Sequence, residues 1–256
     1  MSDLNSDSQR GSTDREPQRN ACFATTRWSL VTQASHKSSP DSERALAELC
    51  RIYWYPLYAY ARRRSRSRED AEDLTQSFFE RFLARDDLVG LDAERGRFRA
   101  FLLASMKHFL ANERDRAGRL KRGGAAEHLS WDWERADERF RVAATNSGSP
   151  DTAFDREWAL ALLERVITRL RDECEAEGKG ALFEQAKSHL ASGQTAVPQE
   201  VAARSLGMAE GAFRVAIHRL RKRYRALLRA EIAETLTDPT GVAEELQSLR
   251  AALASG

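Results

Sequence analysis

The sequence predicts an all-α protein: two small helical domains joined by a flexible linker, the second carrying a helix-turn-helix. Three observations predict it. Apolar residues recur at three-to-four spacing through residues 41–123 and again through 152–228, as helices with one buried stripe require. Alternating β-branched runs, the signal of half-buried strands, do not occur. Between the helical stretches lies RVAATNSGSPDTAFD (141–155), a polar segment with Gly, Ser and Pro that reads as a tether. The expected divisions are a disordered tail (1–22), a first helical domain (23–123), a linker (124–151), a second domain (152–230) and a helical extension (231–256).

A chain of 256 residues is long enough for two such domains, each with its own core. Its net charge is only +2, but the charges are segregated. EDAEDLTQSFFE (69–80) holds five acids and no base, whereas residues 107–122 hold six bases against two acids. One surface suits a basic protein, the other an acidic polymer. Cys22, Cys50 and Cys174 lie far apart, with no CxxC and no His/Cys cluster at zinc spacing, which favours a reducing cytoplasm and no structural metal. No apolar run reaches membrane length and the first twenty residues are polar, so a soluble cytoplasmic protein without membrane insertion is expected.

Taken in order, residues 1 to about 20 are polar and aperiodic, and order is expected from Phe23, where ATTRWSLVTQA offers a Thr cap and a short amphipathic helix. Pro56, Gly90 and Gly96 punctuate the helical pattern that follows. In residues 70–83, Ala71, Leu74, Phe78 and Phe82 recur at helical steps, with Asp70, Asp73, Gln76 and Glu80 along another side. An acidic stripe beside an apolar one can dock a basic partner or simply be solvated. The next segment, GRFRAFLLASMKHFLANERDRAGRLKRGG, starts aromatic and ends basic. Phe98, Phe101, Leu102, Met106, Phe109 and Leu110 make a core stripe; Lys107, His108, Asn112, Arg116 and Arg119 point outward, a mixture suited to phosphates and unpaired bases.

After the linker, helices are expected over about 152–178, 180–192 and 200–228. Val201, Ala202 and Leu206 form the buried side of a short helix in VAARSLGM, and Gly207 permits the turn. The segment FRVAIHRLRKRYRALLRA (213–230) then carries seven Arg/Lys and no carboxylate. Phe213, Ile217, Leu220, Tyr224 and Leu228 face inward, leaving Arg214, His218, Arg221, Lys222 and Arg225 on other faces. A cationic helix behind a short helix and tight turn has the form that enters a major groove, with the solvated basic helix as the alternative. In the extension, Val242, Leu246, Leu249 and Leu253 form a seam that binds a partner or packs on the domain.

In this order, DAEDLTQSFFERFL, FRAFLLASMKHFLANERDR, a linker and VAARSLGMAEGAFRVAIHRLRKRYRALL resemble regions two and four of a bacterial RNA polymerase sigma factor of the extracytoplasmic-function type. The resemblance covers about residues 23–230, including ATTRWSLV and YWYPLYAYARRR. It implies that Asp70, Glu72, Asp73 and Gln76 dock on the clamp coiled coil of core RNA polymerase. It implies that Lys107, His108, Asn112, Arg114 and Arg116 engage the minus-ten element of promoter DNA, with Asn112 at a flipped base and Lys107, Arg114 and Arg116 on phosphates. It places Arg214, Val215, His218, Arg219 and Lys222 at the minus-thirty-five element, where Arg214 or Arg219 can bind guanine bidentately. The acidic, aromatic linker, with Glu127, Asp132, Glu134, Asp137, Glu138, Trp131 and Trp133, is expected to thread toward the positive polymerase cleft. An anti-sigma factor or another regulator is a further partner that the resemblance admits.

Departures limit what carries over. Ala212 stands where Thr is usual, Val215 replaces a frequent polar residue, His218 stands where other side chains are common, and Phe101 replaces a frequent Trp, so the promoter sequence does not transfer. The rival reading is a stand-alone helix-turn-helix regulator that binds duplex DNA without polymerase. An enzyme is not expected: there is no GxxxxGK[ST], no HExxH and no Cys/His nucleophile set, and no cofactor is called for.

Overall fold

The computed structural model describes residues 40–84, 97–117, 131–143, 148–190, 197–236 and 238–254. Its helices are α1 (Pro40–Arg62), α2 (Arg68–Ala84), α3 (Phe98–Ala117), α4 (Trp133–Ala143), α5 (Pro150–Ala176), α6 (Gly180–Ala186), α7 (Gln199–Ser205), α8 (Glu210–Ala233) and α9 (Val242–Ala254), with 3-10 turns at Lys187–His189 and Pro239–Gly241. There is no strand among the described residues, as the absence of alternating patterns predicts. The expected tail (1–22) and the expected short helix after Phe23 lie outside the described residues, as do Gly90, Gly96, Arg119 and Glu127.

The helix α5 is the spine. Ser149 caps it by accepting the Thr152 amide, and Pro150 occupies its first turn, where a missing N–H costs nothing. Ala153, Phe154, Trp158, Ala159, Leu162, Val166, Leu170 and Cys174 are all buried, spaced so that α5 packs at once on α1, α8 and α9. It ends where Gly178 takes φ +70°, and the Lys179 amide folds back onto the Cys174 carbonyl at 2.7 Å. Cys50 and Cys174 are free and buried, and burial pushes the Cys50 thiol up to about 12.

The core is continuous from Leu49 to Leu249. Within it the expected stripes hold with local exceptions. Ala71, Phe78 and Phe82 of α2 are buried and Leu74 half-buried, but Thr75 and Phe79 are buried as well, since α2 packs against both α1 and α3. Thr75 satisfies its hydroxyl by donating to the Ala71 carbonyl at 2.7 Å. Val201, expected on the buried side of α7, is 51% exposed, and Ala202 and Ala203 carry the contact instead. Small side chains let this short helix approach α8 closely.

The largest departure lies in the segment expected to be a tether. Residues 133–143 form α4, and Trp131 stacks on Trp54 at 5.5 Å while its edge meets Phe79 at 5.1 Å. Trp133 packs against Tyr58 at 5.5 Å. Two large indoles gain more by burial than a solvated linker can offer. Asp137, counted among the acids facing a positive cleft, is instead buried: it accepts from Tyr58 Oη and Arg62 Nε, both at 3.1 Å, and from Arg141 Nε at 2.8 Å. Asp132, Glu134 and Glu138 remain exposed. Polar composition hides such an anchor, because one buried carboxylate with three donors reads in sequence like any surface acid.

Burial alone would raise the Asp137 pKa, but the Arg141, Arg62 and Tyr58 hydrogen bonds outweigh it and hold the carboxyl below its ordinary value. Glu173 is likewise lowered by the Arg223 guanidinium, which donates to it through both Nε and Nη2 at 2.7 Å. A depressed carboxyl contributes stability that is complete above its unfolded pKa, about 4, and is lost as pH falls through the folded value. The urea midpoint should therefore decline below about pH 4. Asp137→Asn should cost about 1–2 kcal/mol at pH 7 and flatten that acid limb. An acid limb as steep in the variant as in the parent would show that Asp137 titrates no differently folded and unfolded.

Candidate functional site

Three helices present the residues singled out by sequence, and the structure sorts them by exposure. On α2, Asp70 and Asp73 are exposed at its N-terminal half. Glu72 is held by Arg68 Nε at 2.5 Å, and Gln76 donates to Glu80 at 3.0 Å, so these two are engaged along their own helix. Ser67 Oγ accepts the Asp70 amide at 3.1 Å, which fixes the first turn.

The helix α3 turns Phe98, Leu102, Met106, Phe109 and Leu110 into the core, leaving Phe101 half-buried. The opposite face exposes Lys107, His108, Asn112 and Arg114; Arg116 lies in the helix, and its side chain is outside the described residues. Lys107 is paired with Asp151 at 2.5 Å, so it is not a free cation here. Arg81 of α2 bridges to Glu113 at 2.8 Å and lies over Phe109, locking the two helices together.

Between them sits a hollow of about 730 Å³ lined by Arg64, Ser65, Arg66, Asp70, Asp73, Leu74, Leu110, Glu113 and Arg114. It brings the exposed acids of α2 to the cationic end of α3. Arg64 and Arg66 belong to this ensemble although sequence reasoning did not single them out; their signal was the basic run RRRSRSR directly before the acidic helix. Among the described residues no group of three or more His, Cys, Asp or Glu side chains is arranged to hold a metal ion.

The short α7 and long α8 are joined by a turn in which Gly207 takes φ +64°, a conformation that costs a residue with Cβ about 1 kcal/mol or more. The Met208 amide closes the turn on the Ala203 carbonyl at 3.0 Å. Phe213, Ile217 and Leu220 seat α8, and Arg214, Val215, His218, Arg219 and Lys222 all stand on its exposed side. Val215 is 50% exposed, and Arg214 bonds Glu210 at 2.6 Å.

Two of the seven cations of residues 213–230 brace the fold. Arg221 donates twice to the His189 carbonyl, at 3.0 and 2.7 Å, tying the 3-10 turn to α8, and Arg223 is bound to Glu173. Arg221→Ala should thus lower stability by about 1–2 kcal/mol. Lys222→Ala should leave stability unchanged, weaken DNA binding evenly across sequences and reduce the salt slope by about one. Salt titrations and urea melts on both variants separate the roles; equal effects on both readouts would refute the division.

Residues 53–120, the stretch containing the C-terminal part of α1, all of α2 and all of α3, match the family model Sigma-70 region 2. No curated protein and no solved structure matches the chain. Sigma-70 region 2 is the part of sigma factors that binds core RNA polymerase and melts promoter DNA, so the match supports a sigma factor, with core polymerase and promoter DNA as its implied partners. No described helix is long and apolar enough to cross a membrane.

Proposed function

We propose that this chain is a sigma factor of the extracytoplasmic-function type, acting in the cytoplasm with core RNA polymerase. In this reading Asp70 and Asp73 meet the polymerase clamp. Asn112, His108, Arg114 and Arg116 engage the opened minus-ten element, joined by Lys107 once it leaves Asp151. Then α7 and α8 act as a helix-turn-helix at the minus-thirty-five element, with Arg214, Val215, His218, Arg219 and Lys222 over the groove. The protein performs no chemistry: binding energy opens DNA for a catalyst that resides in the polymerase. The exposed faces of α2, α3 and α8 are also those an anti-sigma factor would cover.

The observation that carries the reading is the coincidence of the Sigma-70 region 2 match with helices whose outward faces are acidic on α2 and basic-polar on α3. A second cationic helix on the same chain, α8, supplies the upstream contact. The test is transcription by core polymerase on a library of promoter fragments, with and without the protein. Transcripts that require the protein carry the reading. Tight binding to duplex DNA alone, with core polymerase unaffected, would instead favour a stand-alone regulator.

A further inference from the structure

Among the described residues four large apolar side chains are exposed, and Val215, at 50%, is the one that α8 carries. The others, Val142, Val197 and Val201, lie in α4 and in or just before α7. A β-branched residue is a poorer helix former than alanine, so local structure gives no reason for valine at an open helical position. One turn away stand Gly211 and Ala212 before it and His218 and Arg219 after it, all exposed. Nothing lies within 4 Å of where a Cβ on Gly211 would stand, so packing within the chain does not require that glycine either. A bare first turn does let a second molecule approach the backbone closely.

The cations on this face set the charge of that molecule. Arg214 is drawn back to Glu210 at 2.6 Å, whereas Arg219 and Lys222 make no ion pair among the described residues. Free guanidinium and ammonium groups suit phosphates and the guanine edge. An isopropyl group offers neither charge nor hydrogen bond. The major groove of duplex DNA presents one group that fits it, the C5-methyl of thymine. Val215 is in the second turn of α8, which begins at Glu210, and a helix-turn-helix brings the N-terminal residues of its second helix to the base edges. Arg219 is one turn further on, about 6 Å along the axis, less than two base-pair steps of about 3.4 Å. Both side chains therefore reach one continuous element.

We propose that Val215 determines specificity in the upstream promoter element: its isopropyl group packs on the C5-methyl of one thymine, beside a guanine held by Arg219. The inference deepens the sigma reading above and rests on it for the DNA that α8 faces. Lys222 on a phosphate positions the helix and carries no sequence information. Val215 disfavours cytosine at its position, because the N4 amino group would be buried against an apolar surface with no acceptor.

The test uses holoenzyme assembled from core polymerase and the full-length chain, on promoter duplexes randomised across the upstream element. The parent should select thymine at one position, and Val215→Ala should relax that position alone. Replacing that thymine by deoxyuridine removes the methyl and leaves the pairing groups in place. The parent should then bind about fourfold more weakly, the worth of one buried methyl group. Val215→Ala should bind the two duplexes equally, and it should melt like the parent, since the side chain it shortens is open. Arg219→Ala should relax a different position and keep the fourfold difference. An upstream element without a preferred thymine, equal affinity of the parent for thymine and deoxyuridine, or a difference that survives in Val215→Ala would overturn the contact. In each of these cases transcripts that still require the protein leave the sigma reading intact. Absence of any transcript that requires the protein would overturn the sigma reading, and the thymine contact with it.

Discussion

Replacing Trp158 by Ala is expected to lower folding stability by about 3–5 kcal/mol, because the indole is 1% exposed and belongs to α5, the helix that packs on α1, α8 and α9. The truncation leaves a cavity that a helix packed on three neighbours cannot collapse to fill. It also removes the face under the Arg99 guanidinium, which is held at the same time by Glu245 and Asp155. The midpoint of thermal unfolding should fall by about 10 °C for a chain of this size. Trp158→Phe, which preserves most of the volume and the ring, should recover more than half of the loss. A Trp158→Ala protein melting within a degree or two of the parent would show that α5 is not the spine. The prediction also reports on order of assembly: because α5 carries contacts to both halves of the chain, its loss should melt them together in one transition.

The helical class was legible because its evidence is local. The stripes Phe98–Leu102–Met106–Phe109 and Phe213–Ile217–Leu220 follow from a 3.6-residue period and needed no tertiary information. The outward positions of Asn112, His218 and Lys222 were legible for the same reason. What failed to show was the choice among chemically equivalent polar residues. Asp137 and Glu245 are buried while Asp132 and Glu244 are exposed, and nothing in their local sequence distinguishes them. Each is buried because arginines from another element arrive there: Arg62 from α1 in one case, Arg97 and Arg99 from the start of α3 in the other. The same long-range pairing explains why Arg221 and Arg223 brace the fold although they sit in a run of cations that reads as one DNA-facing surface. A linker was expected where composition is polar, but Trp131 and Trp133 were the sign to the contrary: two large apolar rings within three residues need a surface to cover, and Trp54, Tyr58 and Phe79 provide it.

Asp73→Arg is expected to abolish promoter-dependent transcription while leaving the fold unchanged. Asp73 is exposed on α2 and makes no ion pair among the described residues, so reversing its charge disturbs no internal contact. Surface substitutions of this kind shift stability by no more than about 0.5 kcal/mol. At a basic docking surface the same change removes an attraction and introduces a repulsion, and like charges brought together at an interface cost several kcal/mol, about 100-fold or more in affinity. Asp70 shares the exposed side of the helix and borders the same hollow, so Asp70→Arg should act in the same direction. Glu72→Gln should have a smaller effect, since Glu72 already spends its charge on Arg68. Core-polymerase binding and transcript yield, measured beside thermal melts, decide the matter. A variant that melts like the parent and has lost polymerase binding places the docking surface on α2. If Asp73→Arg binds and transcribes at the parent level, polymerase docks elsewhere on the chain and the acidic stripe is solvated surface.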